Sequence, residues 1–208
     1  VLNFLVKKKV KQVFLITGGA ISFMVDAFSR NKKIQYTSVG HEQGAAMMAD
    51  AYSRVGPNLA ATLSTSGPGA TNLITGIACS WFDSVPVLHI TGQVNTYEQI
   101  GAQKGTKGVR QIGFQETDIV SIVKPITKYA KLVDDPNSIR YELEKALFLA
   151  QDKRPGPVHL DIPLNLQKAE IDVDSQFGFE EHSTGHGYEL DSVDEQITRY
   201  LEDLRKFQ

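Results

Sequence analysis

Short apolar, β-rich runs alternate with helical runs along the first 168 residues. Residues 13–17 (VFLIT), 34–39 (IQYTSV), 60–65 (AATLST), 86–91 (PVLHIT), 126–133 (ITKYAKLV) and 157–162 (PVHLDI) have the length and β-branched content of buried strands. Between them the spacing turns helical. A run at about 20–30 follows Gly18 and Gly19. In HEQGAAMMADAYSR (41–54), Ala45, Met48, Ala49 and Tyr52 fall on one face. Leu73, Ile74, Ile77, Ala78 and Trp81 mark a buried helix, and residues 115–123 a short one. Asp135-Pro136 starts another, with Asp as N-cap and Pro at the first position, and Ile139, Leu143, Ala146, Leu147 and Ala150 give it an apolar stripe.

Strand–helix alternation predicts an α/β fold: a three-layer, doubly wound, mostly parallel six-stranded sheet with helices on both faces. Residues 93–114 lack periodicity and read as a long loop, which in a compact domain is usually functional. From 169 to 190 charged residues, Gly, Ser and His interrupt any pattern, so this stretch reads as a linker, and residues 191–208 as an amphipathic helix after it.

Composition narrows the function. Lys and Arg total 22 against 24 Asp and Glu, a net charge of -2, which provides no long-range attraction to nucleic acid or an anionic membrane. Lys7, Lys8, Lys9 and Lys11 read as a solvated helix face. No run approaches the ~18 apolar residues of a membrane span. The single cysteine, Cys79, forbids an intrachain disulfide, suits a reducing compartment and reads as core packing.

In open parallel sheets ligands bind beyond the carboxyl ends of the strands. Three unusual segments fall there: TGGA (17–20), GHEQGAA (40–46) and TSGPGATN (65–72). The first and third are glycine-bearing turns into helices, suited to presenting N–H groups to an anion or simply to turning tightly; neither matches a dinucleotide or P-loop pattern. Glu42 follows a strand and opens a helix, where a carboxylate gains from the helix dipole, so a plain capping role competes with a ligand-facing one. His89 and His159, inside strands, read as satisfied core histidines; His41 as a residue that orients its turn. His182 and His186 lie in the linker with no metal-ligand spacing, and no metal site is expected on this chain.

The blocks GGAI (18–21), HEQGAAMMADAYSR (41–54), TSGPGATNLITGIA (65–78), DSVPVLHITGQV (83–94), GFQETDIV (113–120), ITKYA (126–130) and RPGPVHLDIP (154–163) stand in one order. In that order the chain resembles the N-terminal, pyrimidine-binding domain of thiamine diphosphate-dependent carboligases and decarboxylases, acetolactate synthase above all. The resemblance assigns residues 1–168 to that domain. It implies that Glu42 hydrogen-bonds N1′ of the cofactor's aminopyrimidine and favours the tautomer that deprotonates the thiazolium C2, for decarboxylation of a 2-keto acid and carboligation. It places Gly18, Gly19 and Ala20 near the thiazolium, and Ser66, Pro68 and Asn72 in the turn approaching the pyrimidine. It sets Phe114 and Gln115 beside the substrate and Lys128 at the mouth of the substrate channel. Taken as residues alone, Phe114 reads equally as core and Lys128 as a solvated edge residue.

The resemblance further implies Mg²⁺ on another domain, through a GDG segment that this sequence lacks, and leaves the use of FAD open. It implies a cytoplasmic homodimer or tetramer with the active site shared between subunits, and a central domain beyond residue 208. The chain thus reads as an excised piece, inactive alone, rather than one part of a split enzyme. Residues 97–112 (YEQIGAQKGTKGVRQI), with Gln103, Lys104, Lys107 and Arg110, look longer than the usual loop and put acetolactate itself in doubt as the product. A 2-keto acid decarboxylase or oxidase, and a non-catalytic binding or regulatory domain that kept the fold, are the alternatives.

Overall fold

The computed structural model describes residues 1–56, 59–102, 105, 108–180 and 193–206. Six strands, β1 (Gln12–Leu15), β2 (Gln35–Ser38), β3 (Ala60–Ser64), β4 (Val87–Gln93), β5 (Tyr129–Leu132) and β6 (Val158–Pro163), pair in the order β2-β1-β3-β4-β6-β5. Every pairing is parallel. The helices are α1 (Leu2–Lys7), α2 (Ser22–Arg30), α3 (Glu42–Arg54), α4 (Pro68–Thr71), α5 (Ile74–Phe82), α6 (Ile119–Val123), α7 (Ile139–Gln151), α8 (Leu164–Gln167) and α9 (Val193–Arg205). All six expected strands are present, and the helix expected from 115 begins only at Ile119, where Asp118 accepts the Ser121 N–H as its cap.

Strand side chains alternate between two unlike layers. One face sends Val13, Leu15, Ala61, Leu63, Leu88, Ile90, Leu160 and Ile162 against α1, α2 and α7, forming the larger apolar core. The other face meets α3, α5 and α6. Its apolar contribution comes largely from the helices: Ala45, Ala46, Ala49, Leu73, Ile77, Ile119 and Val123.

Small residues let α3 and α5 touch. A Cβ placed on Gly76 would run into the side chain of Ala46 and lie 3.1 Å from its backbone carbon. The expected inner faces need correction here. Met48 is 46% exposed and Trp81 37% exposed, while Ala46, Asp50 and Ser53 are buried in their place. Asp50 is buried because it accepts the Ser80 hydroxyl at 2.7 Å and pairs with Arg54, an interhelix bond that an apolar-periodicity reading passes over. Ile74, Ala78 and Cys79 are only half-buried.

On the α5–α6 side the three central strands carry two lateral rows of buried polar groups. Thr62, His89 and His159 share one register, and Ser64, Thr91 and Asp161 the next. Thr62 pairs with Nδ1 of His89 at 2.8 Å. The Thr91 hydroxyl donates to Asp161 at 2.6 Å, so His159 must present Nε2–H to Thr91 at 3.0 Å. His89 Nε2 and His159 Nδ1 have no partner among the described residues. The histidines are therefore core residues but only half satisfied. Burial holds both down to about pKa 3, His159 adding to the effect on His89. Burial pushes Asp161 up to about 7 against the hydrogen bonds from Thr91 and Gln93.

Residues 169–180, expected as a linker, run along the outer side of α7. Phe177 and Phe179 pack on Tyr141 at 5.4 and 5.5 Å between ring centroids, Phe179 also meets Phe148, and the Phe179 N–H donates to Glu144. His182 and His186 lie outside the described residues. Among the described residues no helix is long and apolar enough to cross a membrane. Lys7, Lys8, Lys9 and Lys11 are exposed, but α1 ends at Lys7, so the other three follow the helix rather than forming a helix face.

Two outcomes follow from this packing. Gly76→Ala gains helix propensity but overpacks the α3–α5 contact, and is expected to lose about 1–3 kcal/mol in urea unfolding. The second concerns pH. Between about pH 4.5 and 5.5 the unfolded chain binds about two more protons on His89 and His159 and one fewer on Asp161. Two minus one leaves a net of one, so these groups make stability rise with pH by about 1.4 kcal/mol per unit. Asp161→Asn removes the opposing group and should about double that slope in unfolding curves from pH 4.5 to 5.5; an unchanged slope would contradict the assignment.

Candidate active site

Parallel strands bring the ends of β1, β2, β3 and β4 to one edge of the sheet. At the end of β2, His41 rather than Glu42 is the N-cap of α3: its Nδ1 accepts the Gln43 N–H at 3.2 Å. That disposes of the capping alternative for Glu42. The Glu42 side chain turns inward instead and is only 8% exposed. Its Oε2 accepts from the amide of Asn72 at 2.9 Å, across from the end of β3. Its Oε1 lies 3.3 Å from the position a Cβ would take on Gly69, and the Ser64 hydroxyl lies 2.9 Å from that same position. The Ser64 oxygen is buried and has no partner among the described residues.

The two glycine turns lean on each other. The Ala20 N–H donates to the Thr65 hydroxyl at 3.2 Å, and a Cβ on Gly18 would run into the Thr65 side chain. Gly69 presses on Thr65 from the other side, 2.7 Å from its Cγ2 for a notional Cβ. Gly19 is open, with nothing near its missing side chain. Ser66 is buried, and Pro68 stands exposed at the first position of α4. Gly67 has φ +60°, and a Cβ there would lie 2.6 Å from both the Gln115 Cβ and its carbonyl oxygen. Both the left-handed backbone and the close approach require glycine.

That approach brings in the loop after β4. Phe114 is 81% exposed, so the core reading for it fails. Gln115 has φ +58°, an uncommon conformation for a side chain of this kind and one often found at functional sites. The loop is tied from within by Glu116, whose two oxygens accept the N–H groups of Ile100 and Ile112 at 2.7 and 2.9 Å. The Gly113 N–H donates to the Glu98 carbonyl at 2.9 Å. Asn95 and Glu98 form a reciprocal cap at its start. Within 97–112, Gln103, Lys104 and Lys107 lie outside the described residues, and Arg110 is exposed. No apolar periodicity announces Glu116; its role is visible only once the loop is closed.

Lys128 does not join this cluster. It precedes β5, so it sits at the opposite rim of the sheet, near the start of β6: its N–H donates to the Pro157 carbonyl at 2.8 Å. Its ammonium donates to the Asp152 carbonyl, and its stem packs on Gly156. Burial lowers its pKa. It is thus neither a solvated edge residue nor, within this chain, a neighbour of Glu42. A cavity of about 1000 Å³ lined by Lys8, Arg140, Phe148 and Asp152 lies at that same far rim and takes no part in the cluster. No group of metal-ligating side chains occurs among the described residues.

The assembled site is a buried carboxylate held by one amide, an orphaned hydroxyl beneath a glycine, and two glycine turns packed on each other with Gly19 left open. Such a cradle suits a flat nitrogen heterocycle: the carboxyl supplies a proton-exchanging group, and the glycines let the ring approach the backbone. The residues present therefore fit the pyrimidine end of thiamine diphosphate. Residues 1–122 match the model of the thiamine pyrophosphate enzyme N-terminal TPP binding domain. The chain is 40% identical over 184 residues to an acetolactate synthase large subunit of Cyanidium caldarium, covering 87% of this chain and 30% of that protein. It is 43% identical to one of Corynebacterium glutamicum, over 77% of this chain and 24% of that one. It is 41% identical to the isozyme 3 large subunit of Escherichia coli, over 80% and 27%. The chain thus spans less than a third of the length of these relatives. With the matched model covering more than half of it, this chain belongs to the thiamine pyrophosphate enzymes, as an N-terminal TPP-binding domain.

Proposed function

We propose that this domain is the pyrimidine-side half of an acetolactate synthase-like active site and that Glu42 is its proton-exchanging group. The observation that carries this reading is the Asn72–Glu42 hydrogen bond, because it holds a non-capping carboxylate at the strand ends. Thiamine diphosphate, when bound, supplies the electron sink for decarboxylating a 2-keto acid and joining the product to a second carbonyl. The protein's part is to place a carboxyl where it gives or takes one proton at a ring nitrogen. Asn72 donates to Oε2 and so leaves Oε1 for that exchange. The turns Gly18–Ala20 and Ser66–Pro68 set the floor of the cradle. Phe114 and Gln115 stand on the substrate side.

The diphosphate and its Mg²⁺ belong, in this reading, to a surface this chain does not supply, on a second copy in a cytoplasmic homodimer or tetramer. Lys128 reaches a substrate only if such a second surface approaches the opposite rim of the sheet.

In the complete polypeptide Glu42→Gln is expected to lower turnover of pyruvate by about 10²–10⁴ with cofactor affinity changed only a few fold. Turnover within threefold of the parent would remove Glu42 from the chemistry and favour a non-catalytic domain. Asn72→Leu leaves a buried carboxylate unpartnered and should cost about 1–3 kcal/mol of stability as well as activity. Product analysis separates the reactions: acetolactate supports carboligation, and a sole aldehyde product would replace it with simple decarboxylation.

A further inference from the structure

Immediately after β6 the short helix α8 carries two amide side chains that reach different loops of the site. Asn165 forms a reciprocal pair with Thr96: its Oδ1 accepts the Thr96 N–H at 2.9 Å and its Nδ2 donates to the Thr96 hydroxyl at 3.0 Å. Gln167, two residues on, donates through Nε2 to the carbonyls of Ala20 at 2.7 Å and Ile162 at 2.8 Å. Thr96 opens the loop that Glu116 ties together as far as Phe114 and Gln115. Ala20 ends the glycine turn after β1.

Both peptide groups flanking Ala20 are thereby fixed. Its N–H is held by Thr65 and its carbonyl by Gln167. The carbonyl also lies against Gly92, where any Cβ would run into it. The glycine turn cannot shift toward β4 and is tethered on its other side by α8. The loop after β4 is tethered to the same helical turn, through a residue two positions away.

We infer that Asn165 and Gln167 are positioning residues: α8 is a crossbar that sets the spacing between the turn on the cofactor side and the loop on the substrate side. The names of the two sides rest on the proposed function, but the crossbar itself rests on the four hydrogen bonds. Neither side chain touches Glu42, so they act through the backbone they hold. Asn165 suits the work because its amide donates and accepts at once, and Gln167 donates through Nε2 to carbonyls of two separate segments while its own Oε1 has no partner among the described residues.

The test uses Gln167→Leu, Asn165→Leu and Asn165→Asp. Asp keeps an acceptor for the Thr96 N–H, and the Thr96 hydroxyl then donates to its second oxygen, so it is the conservative rescue. Amide hydrogen exchange on the 208-residue chain reads the tethers without cofactor. Gln167→Leu should speed exchange at Ala20 and Ile21 by about tenfold, and Asn165→Leu should do so at Thr96, each leaving the other segment as in the parent. In the complete polypeptide Gln167→Leu should raise the Kd of thiamine diphosphate about tenfold with KM for the keto acid unchanged. Asn165→Leu should do the reverse, and Asn165→Asp should restore it. Exchange unchanged in both leucine variants overturns the crossbar. So does a parallel rise of Kd and KM that simply follows a fall in Tm. If the parent polypeptide fails to bind thiamine diphosphate, the proposed function falls, while the exchange measurements still decide the crossbar.

Discussion

The amide of Asn72 donating to the carboxylate of Glu42 joins two crossovers of the sheet thirty residues apart in the chain. Around that bond the rest of the site is arranged. Glu42 can turn inward because His41 has taken over the N-cap, so the first turn of α3 does not need the carboxylate for its own N–H groups. Asn72 can reach it because α4 is only four residues long and delivers the side chain before α5 begins. α3 and α5 lie close enough for this because Gly76 faces Ala46. A bulkier pair would separate the helices, and the amide would no longer span the gap.

The two faces of the sheet play different parts. The face under α1, α2 and α7 is a continuous apolar layer and supplies most of the burial that holds the fold. The face under α5 and α6 carries hydroxyls, two neutral histidines and a carboxylic acid of raised pKa in the middle of the molecule. Polar groups there cost stability unless they are paired, and Thr91 and Asp161 each take two partners: Thr91 serves His159 and Asp161 with one hydroxyl, and Asp161 also accepts from Gln93. Gln93 then extends the chain of bonds from Asp161 to the Thr117 carbonyl, at the root of the loop that bears Phe114. The loop that bears Phe114 is thus anchored in the polar layer rather than in the apolar one.

The strands were legible because runs such as PVLHIT and PVHLDI are short, β-branched and closed by Gly or Pro, and a parallel sheet buries both of their faces. The glycine turns and Glu42 were legible because strand ends converge and the motifs stand in a known order. Met48 and Trp81 were misplaced for one shared reason: apolar spacing assigned them to the inner face, whereas the Asp50–Ser80 bond rotates the contact toward small and polar residues. Lys128 stands apart from Glu42 because it precedes β5, and the residues before and after a parallel strand lie at opposite rims of the sheet. Asn165 and Gln167 gave no signal, and Glu116 only its place in the GFQETDIV block. Their bonds to Thr96, Ala20 and Ile100 join segments far apart in sequence, and nothing in local pattern encodes such a pairing.

Residues 169–180 leave the site end of the sheet and run down the outside of α7, pinned by Phe177 and Phe179 on Tyr141 and Phe148 and by the Phe179 N–H on Glu144. A pull on the chain at Glu180 would therefore load the tilted and edge-on contacts of Phe177 and Phe179 with Tyr141 and Phe148, and the Phe179–Glu144 hydrogen bond, before it reaches β6. α8, with its hold on Ala20 and Thr96, sits upstream of those contacts. Tension on residues 177–179 would thus fall first on α7, before the segment that holds Ala20 and Thr96.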